Sequence, residues 1–147
     1  MIVHVEYQER YWYPDDGGQV WVAGYQVVDE HGRFLGRDAP ELDAAGLIVA
    51  WVAGAVHRPA ALASDAAAPG CPLRLRPEPE NPHDPHAVAV DLATGEPIGY
   101  VPREYAPRVD ASWSAVVLRE RRDSPRDPRT GLTMLLAHAD AIELRHY

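Results

Sequence analysis

Along residues 2–7, apolar and polar side chains alternate, with Val3, Val5 and Tyr7 against His4 and Glu6, which is the two-residue period of a strand. Pro14-Asp15-Asp16-Gly17-Gly18 then marks a turn. Residues 19–28 return with Val20, Trp21, Val22, Tyr25 and Val27, side chains that suit a pleated surface. The pattern predicts a hairpin over residues 1–28. Asp38-Ala39-Pro40-Glu41 places an acidic cap, a first-turn proline and a glutamate in the order that opens a helix, which Gly46 ends.

Residues 47–52, Leu-Ile-Val-Ala-Trp-Val, are a continuous apolar run and predict a central strand buried on both faces. The alanine-rich stretch 59–68 predicts a short helix closed by Pro69-Gly70. Leu73-Arg74-Leu75-Arg76 alternates as a strand with one wet face. Four prolines at positions 77–85 remove backbone donors and fix φ, so this segment reads as a stiff loop. Alternation resumes over 86–92, turns at Ala93-Thr94-Gly95-Glu96 and returns over 97–101. Pro102-Arg103-Glu104 predicts the first turn of a helix reaching residue 109. Residues 113–119 and 132–137 predict two strands joined by a long loop at 120–131, and 142–144 predicts a last short strand. Short strands separated by regular turns favour an antiparallel barrel or sandwich over a parallel sheet.

Composition narrows the class. The 147 residues suit one domain, and 46% apolar with 24% charged residues is ordinary for a folded soluble chain. The longest apolar stretch, 46–56, is about half a membrane span. The first residues lack the basic start and apolar centre of a signal sequence, so no membrane partner and a cytoplasmic location are expected. A single cysteine, Cys71, permits neither an internal disulfide nor a cysteine-zinc site, and no cofactor is expected.

All 14 basic residues are arginine, against 22 acidic ones, for a net charge of −8. Residues 1–46 hold nine acids and three arginines, whereas 47–147 hold thirteen and eleven, so the acidity sits at the front. This balance argues against tight sequence-blind binding to a duplex, which needs many neutralised phosphates. A small pocket for one strand end remains compatible with it.

Three stretches are more specific. They are Val52-Ala53-Gly54-Ala55-Val56-His57-Arg58; Pro69-Gly70 followed by Leu73-Arg74-Leu75-Arg76-Pro77-Glu78-Pro79-Glu80-Asn81-Pro82-His83-Asp84-Pro85-His86-Ala87-Val88-Ala89-Val90; and Ile98-Gly99-Tyr100-Val101-Pro102-Arg103-Glu104. In order and spacing, residues 47–104 resemble the HIRAN domain family. The resemblance implies a mainly β protein with short helices, built as an antiparallel OB-like β-barrel over residues 47–147. Residues 1–46 are then an acidic β-hairpin extension packed on the barrel. The resemblance further implies non-catalytic binding of single-stranded DNA at a free 3′ end, in DNA repair or replication-fork processing. The terminal nucleotides are expected among the loop 81–84, the residues after Gly54, and Arg103 at a helix start.

The residue types suit that chemistry. A 3′-end pocket needs a surface for bases, a cation for the backbone and an acceptor for the terminal hydroxyl. Asp84 offers the acceptor and repels a 3′-phosphate. Asn81 can bond a sugar, a base edge or a phosphate oxygen. His57 and His83 can stack, Arg58 and Arg103 can pair with phosphates, and Tyr100 can stack or hydrogen-bond. Asn81 and Asp84 are equally typical turn formers whose side chains bond their own backbone. Family members carry aromatic residues where this chain has His57, Arg58 and His83, so binding is expected to be weaker and sensitive to salt and pH.

A second basic feature lies downstream. Arg119, Arg121, Arg122, Arg126 and Arg129, offset by Glu120, Asp123 and Asp127, predict a basic loop. Arg121, Arg122 and Arg126 there extend a track for a DNA backbone, unless the loop only pairs with its own carboxylates. Two rival functions remain. Tyr11, Trp12 and Tyr13 beside the acidic hairpin suit a protein partner or a homodimer, and His83, Asp84 and His86 raise a metal-dependent nuclease.

Overall fold

The computed structural model describes residues 2–5, 8–12, 20–138 and 143–146. Two strands, β1 (Ile2–Val5) and β10 (Glu143–His146), pair in parallel as a separate small sheet. The other eight are antiparallel: β2 (Gln8–Trp12), β3 (Val20–Gly24), β4 (Leu47–Trp51), β5 (Pro72–Pro77), β6 (Val88–Leu92), β7 (Pro97–Tyr100), β8 (Ser114–Arg122) and β9 (Arg129–Ala137). The helical pieces are short: α1 (Pro40–Ala44), α2 (Pro59–Ala63) and three 3₁₀ turns at Ala55–His57, Asp65–Ala67 and Ala106–Arg108.

β8 is the hub. β9 runs along one edge of it, while β5 and β3 share the other, with Leu73 opposite Ala115 and Trp21 opposite Arg122. β4 pairs with the far edge of β9, and β6 and β7 follow β5. The ladder is therefore barrel-like but open. Among the described residues, the terminal strands β4 and β7 meet through an isolated bridge, where Ala53 and Tyr100 exchange N–H···O bonds of 2.8 and 2.9 Å. Gly99 permits that approach, because a Cβ there would lie 2.3 Å from the Ala53 carbonyl oxygen and 2.8 Å from Val52 Cγ1. Gly99→Ala is expected to cost roughly 1–3 kcal/mol, typical of overpacking, read as a lower urea midpoint with an unchanged slope.

Two apolar clusters follow from this layout. Ile48, Ala50 and Val52 face the barrel interior with Val88, Val90, Leu92, Ile98, Val117, Met134 and Leu136. Leu47 and Val49 face the opposite side, against Tyr25, Val27, Leu42, Leu118 and Leu135. β4 is thus buried on both faces, as its unbroken apolar run requires, yet it ends the ladder instead of occupying its centre. Its second face is covered by the segment 25–42, which alternation along β4 could not reveal.

Several local expectations need correction. The front hairpin is made by β2 and β3 alone, with Arg10 opposite Val22, while β1 pairs elsewhere. The turn expected at residues 14–18 lies outside the described residues. α1 begins one residue later than expected, with Ala39 as its cap and no side-chain capping bond from Asp38. The helix expected over 102–109 is only a turn followed by Ala106–Arg108. Pro107 has no N–H to continue the helical bonds begun from Ala106 N to Pro102 O (3.1 Å). The strand expected over 86–92 is found as β6 over Val88–Leu92, with all five of its residues buried. The Arg76 guanidinium reaches Asp91 on the outward side, at 3.0 and 3.3 Å.

Candidate nucleic-acid interface

The proline-rich loop between β5 and β6 is held by its own polar side chains. Glu78 N–H donates to Ala87 O (2.8 Å), which closes the loop's base. Asn81 Oδ1 accepts from the N–H groups of His83 (2.9 Å) and Asp84 (3.2 Å). Asp84 Oδ1 accepts from His86 N–H at 2.8 Å. Both residues therefore act as turn formers. That work leaves one Asp84 oxygen over: Oδ2 lies 3.8 Å from Arg103 Nε, an ion-pair distance beyond a hydrogen bond. The Asp84 side chain is 20% exposed and that of Arg103 81%, so the carboxylate is set back beneath a cation reaching into solvent.

The other wall comes from the bridge at the open end of the barrel. Gly54, at φ 79°, turns the chain after β4 into the 3₁₀ segment, and exposed His57 and Arg58 follow. The Ala53–Tyr100 bridge sets this turn beside half-exposed Tyr100. The positive charge of Arg58 acts on the Tyr100 phenol. Tyr100 in turn reaches the loop, its hydroxyl donating to Glu78 Oε1 at 2.9 Å. Side-chain contacts thus connect Tyr100, Glu78, Asn81, Asp84 and Arg103, while His57, Arg58 and His83 stand beside them as chain neighbours of Gly54 and of the loop. His83 is exposed on the loop between Asn81 and Asp84. Arg103 sits in a turn and not at a helix start, so its cation acts without a helix dipole.

Sequence reasoning missed the residues beneath this surface. Asn81 Nδ2 donates to Glu78 Oε1 (3.0 Å), and Arg76 pairs with Glu78 Oε2 (2.9 Å) as well as with Asp91. Hydrogen bonds from Asn81 and then Tyr100 hold the Glu78 carboxyl below its ordinary pKa. Reciprocally, the bond to Glu78 raises the Tyr100 phenol, and bonding to Asp91 raises the Arg76 guanidinium. The available signal was the three-residue step from Glu78 to Asn81 inside a proline-rich loop.

The arginines downstream separate into two groups. β8 and β9 extend further than expected, and the loop between them is confined to residues 123–128. Arg122 donates to Glu120 (3.1 Å) and to Asp127 O (2.7 Å), and Arg129 donates to Glu120, Leu62 O (2.8 Å) and Ser64 O (2.9 Å). Arg119 bonds Tyr25 O at 3.0 Å. Arg122 and Arg129 bind the fold together, because Glu120 is buried and a buried carboxylate needs cations, while Arg119 ties β8 to the Tyr25 backbone. Arg122 therefore has a structural role, its guanidinium spent on Glu120 and the Asp127 carbonyl. Arg121 and Arg126 are exposed. Arg121 lines an open groove of about 470 Å³ with Trp51, Val56, Asp123 and Thr133. Gly54, Ala55 and Val56 form part of its wall, so the groove abuts the turn that carries His57. Trp51, also unforeseen, is 41% exposed, with the Arg37 guanidinium 5.5 Å from its ring centroid.

Of the front aromatics, Tyr11 is 47% exposed on β2, Trp12 ends that strand, and Tyr13 lies outside the described residues. Among the described residues, no three His, Cys, Asp or Glu side chains converge as a metal site. None of the helices described is long and apolar enough to cross a membrane.

An open antiparallel barrel, with arginines, an aspartate and a tyrosine near the Ala53–Tyr100 bridge, defines a small β module with a polar surface region. The family model described as HIRAN domain matches residues 47–131, more than half of the chain, and the chain belongs to the HIRAN domain family. HIRAN domains are known as DNA-binding modules. Among solved structures, the HIRAN domain of human HLTF is similar at 19% identity and a TM-score of 0.43, covering 65% of this chain and 78% of that one. A comparison with curated proteins found no match.

Proposed function

We propose that this chain is a non-catalytic module that captures single-stranded DNA at a free 3′-hydroxyl end, in repair or replication-fork processing. Asp84 carries the reading. One of its oxygens is spent on the turn, and the other remains within reach of solvent with only a distant ion-pair partner. A carboxylate so placed accepts a hydrogen bond from a terminal hydroxyl and repels a terminal phosphate. Arg58 and Arg103 supply cations for the backbone, and Tyr100, His57 and His83 supply flat surfaces for bases. Arg121 and Arg126, both exposed, supply further cations for the backbone along the strand.

The test compares one labelled oligonucleotide ending in 3′-hydroxyl with the same strand ending in 3′-phosphate, by anisotropy at low salt. The hydroxyl form is expected to bind more tightly. Equal affinity for the two, or no binding to either, refutes end capture. Arg126→Ala is expected to weaken both strands alike and to flatten the salt dependence.

A further inference from the structure

We infer that Glu78 is the positioning residue of this site and sets which hydrogens Asn81 and Tyr100 present to a nucleotide; the inference rests on the end-binding reading above. Glu78 Oε1 accepts from Asn81 Nδ2 (3.0 Å) and from the Tyr100 hydroxyl (2.9 Å) at once, while Oε2 receives Arg76 (2.9 Å). Asn81 is committed at its other end as well. An amide oxygen has two lone pairs, and here both are taken, by His83 N–H and Asp84 N–H. The side-chain amide therefore cannot turn over without losing three bonds, and it keeps one N–H to offer. Tyr100 has a single hydroxyl hydrogen, which it gives to Glu78, so towards a ligand its oxygen only accepts.

The polarity of the site follows. Asn81 is matched by an acceptor, such as a phosphate, sugar or base-carbonyl oxygen. Tyr100 is matched by a donor, such as a hydroxyl or a base N–H. Two features keep this setting fixed. Pro77 and Pro79 flank Glu78, and its own N–H is tied to Ala87 O, so its backbone is restrained on both sides. Its carboxyl is also held in the ionised, acceptor-only form by the hydrogen bonds it receives, from Asn81 first and then Tyr100.

The test uses the full chain and a 3′-hydroxyl oligothymidylate read by anisotropy, with Glu78→Ala, Glu78→Gln, Asn81→Ala and the Glu78→Ala/Asn81→Ala double variant. Losing the alignment of a hydrogen bond is expected to weaken binding by roughly tenfold in Glu78→Ala. Glu78→Gln keeps an oxygen that accepts from both partners and is expected to stay within about threefold of wild type. The double variant is expected to bind no more weakly than the weaker single, because both changes break one unit. A DNA-free readout accompanies these: tyrosinate absorbance against pH, with Tyr100→Phe subtracted to isolate the Tyr100 signal. Tyr100 is expected to titrate at lower pH in Glu78→Ala than in wild type, with circular dichroism across the same pH range showing that the variant stays folded. Wild-type affinity in Glu78→Ala, equal losses in Glu78→Ala and Glu78→Gln, or an unmoved Tyr100 titration each overturns the inference. If wild type itself binds no strand, the end-binding reading fails; if it binds and the Glu78 variants are indifferent, only the positioning role falls.

Discussion

Asp84→Ala is expected to abolish the preference for a 3′-hydroxyl end and to turn it toward 3′-phosphate. The hydroxyl loses a charge-assisted acceptor, worth about 1.5–3 kcal/mol or tenfold and more in affinity. The phosphate loses a repulsive neighbour, while the Arg103 guanidinium, paired with Asp84 at 3.8 Å in the native protein, is released to attract it. Both effects push the ratio the same way. Asp84→Ala also removes the bond to His86 N–H, so Asp84→Asn is the needed companion. Asparagine still accepts that N–H and keeps the turn, but it carries no charge, so phosphate discrimination falls while the loop stays ordered. An unchanged hydroxyl-to-phosphate ratio in both variants rules out Asp84 as the group that reads the end.

The largest effect on stability is expected at Glu120. Its side chain is 6% exposed and receives both Arg122 and Arg129, whose side chains are 22% and 11% exposed. Removing one partner of a buried pair leaves charge without compensation, which typically costs about 3–5 kcal/mol. Arg129 retains the carbonyls of Leu62 and Ser64, so Glu120→Ala is expected near the lower end, at about 3 kcal/mol. That is a large share of the roughly 5–15 kcal/mol that holds a domain of this size together. Urea unfolding followed by tryptophan fluorescence measures it, and a shift below about 1 kcal/mol shows that the cluster behaves as a solvated surface pair. Because Arg129 also ties β9 to the end of α2, which begins next to Arg58, weaker DNA binding in this variant is expected to follow the loss of stability.

Much of the strand pattern was legible without coordinates, for a local reason. Alternation at 73–76 and the apolar run at 47–52 state how many faces each strand buries, and the structure places Leu73 and β4 accordingly. Partner choice was less legible. The front hairpin omits β1, and β4 lies at the end of the ladder, because a period of two reports faces and not neighbours. Proline carried information in both directions. The run at 77–85 made its loop plain, while Pro107 ended a helix that Pro102 had advertised.

The site was readable in part. Asn81, Asp84, Tyr100 and Arg103 could be named as candidates from residue type and family resemblance. Their division of labour could not, because it depends on hydrogen bonds between residues up to 22 positions apart. The arginines at 119–129 make the same point. As a sequence they are one basic patch, but burial of Glu120 draws Arg122 and Arg129 inward, whereas Arg121 and Arg126 are exposed.

By itself, then, the order of residues determined a β-rich chain with a proline-stiffened loop bearing one amide and three acids. Periodicity and turn chemistry act over a few residues and need no distant partner. Only the tertiary structure decided that β4 and β7 meet at the Ala53–Tyr100 bridge of an otherwise open sheet, that Glu78 ties Tyr100 to Asn81, and that Arg122 and Arg129 pair with Glu120. Each of those outcomes depends on side chains that meet only after the sheet has assembled, when burial makes an unpaired charge or polar group too costly to leave alone.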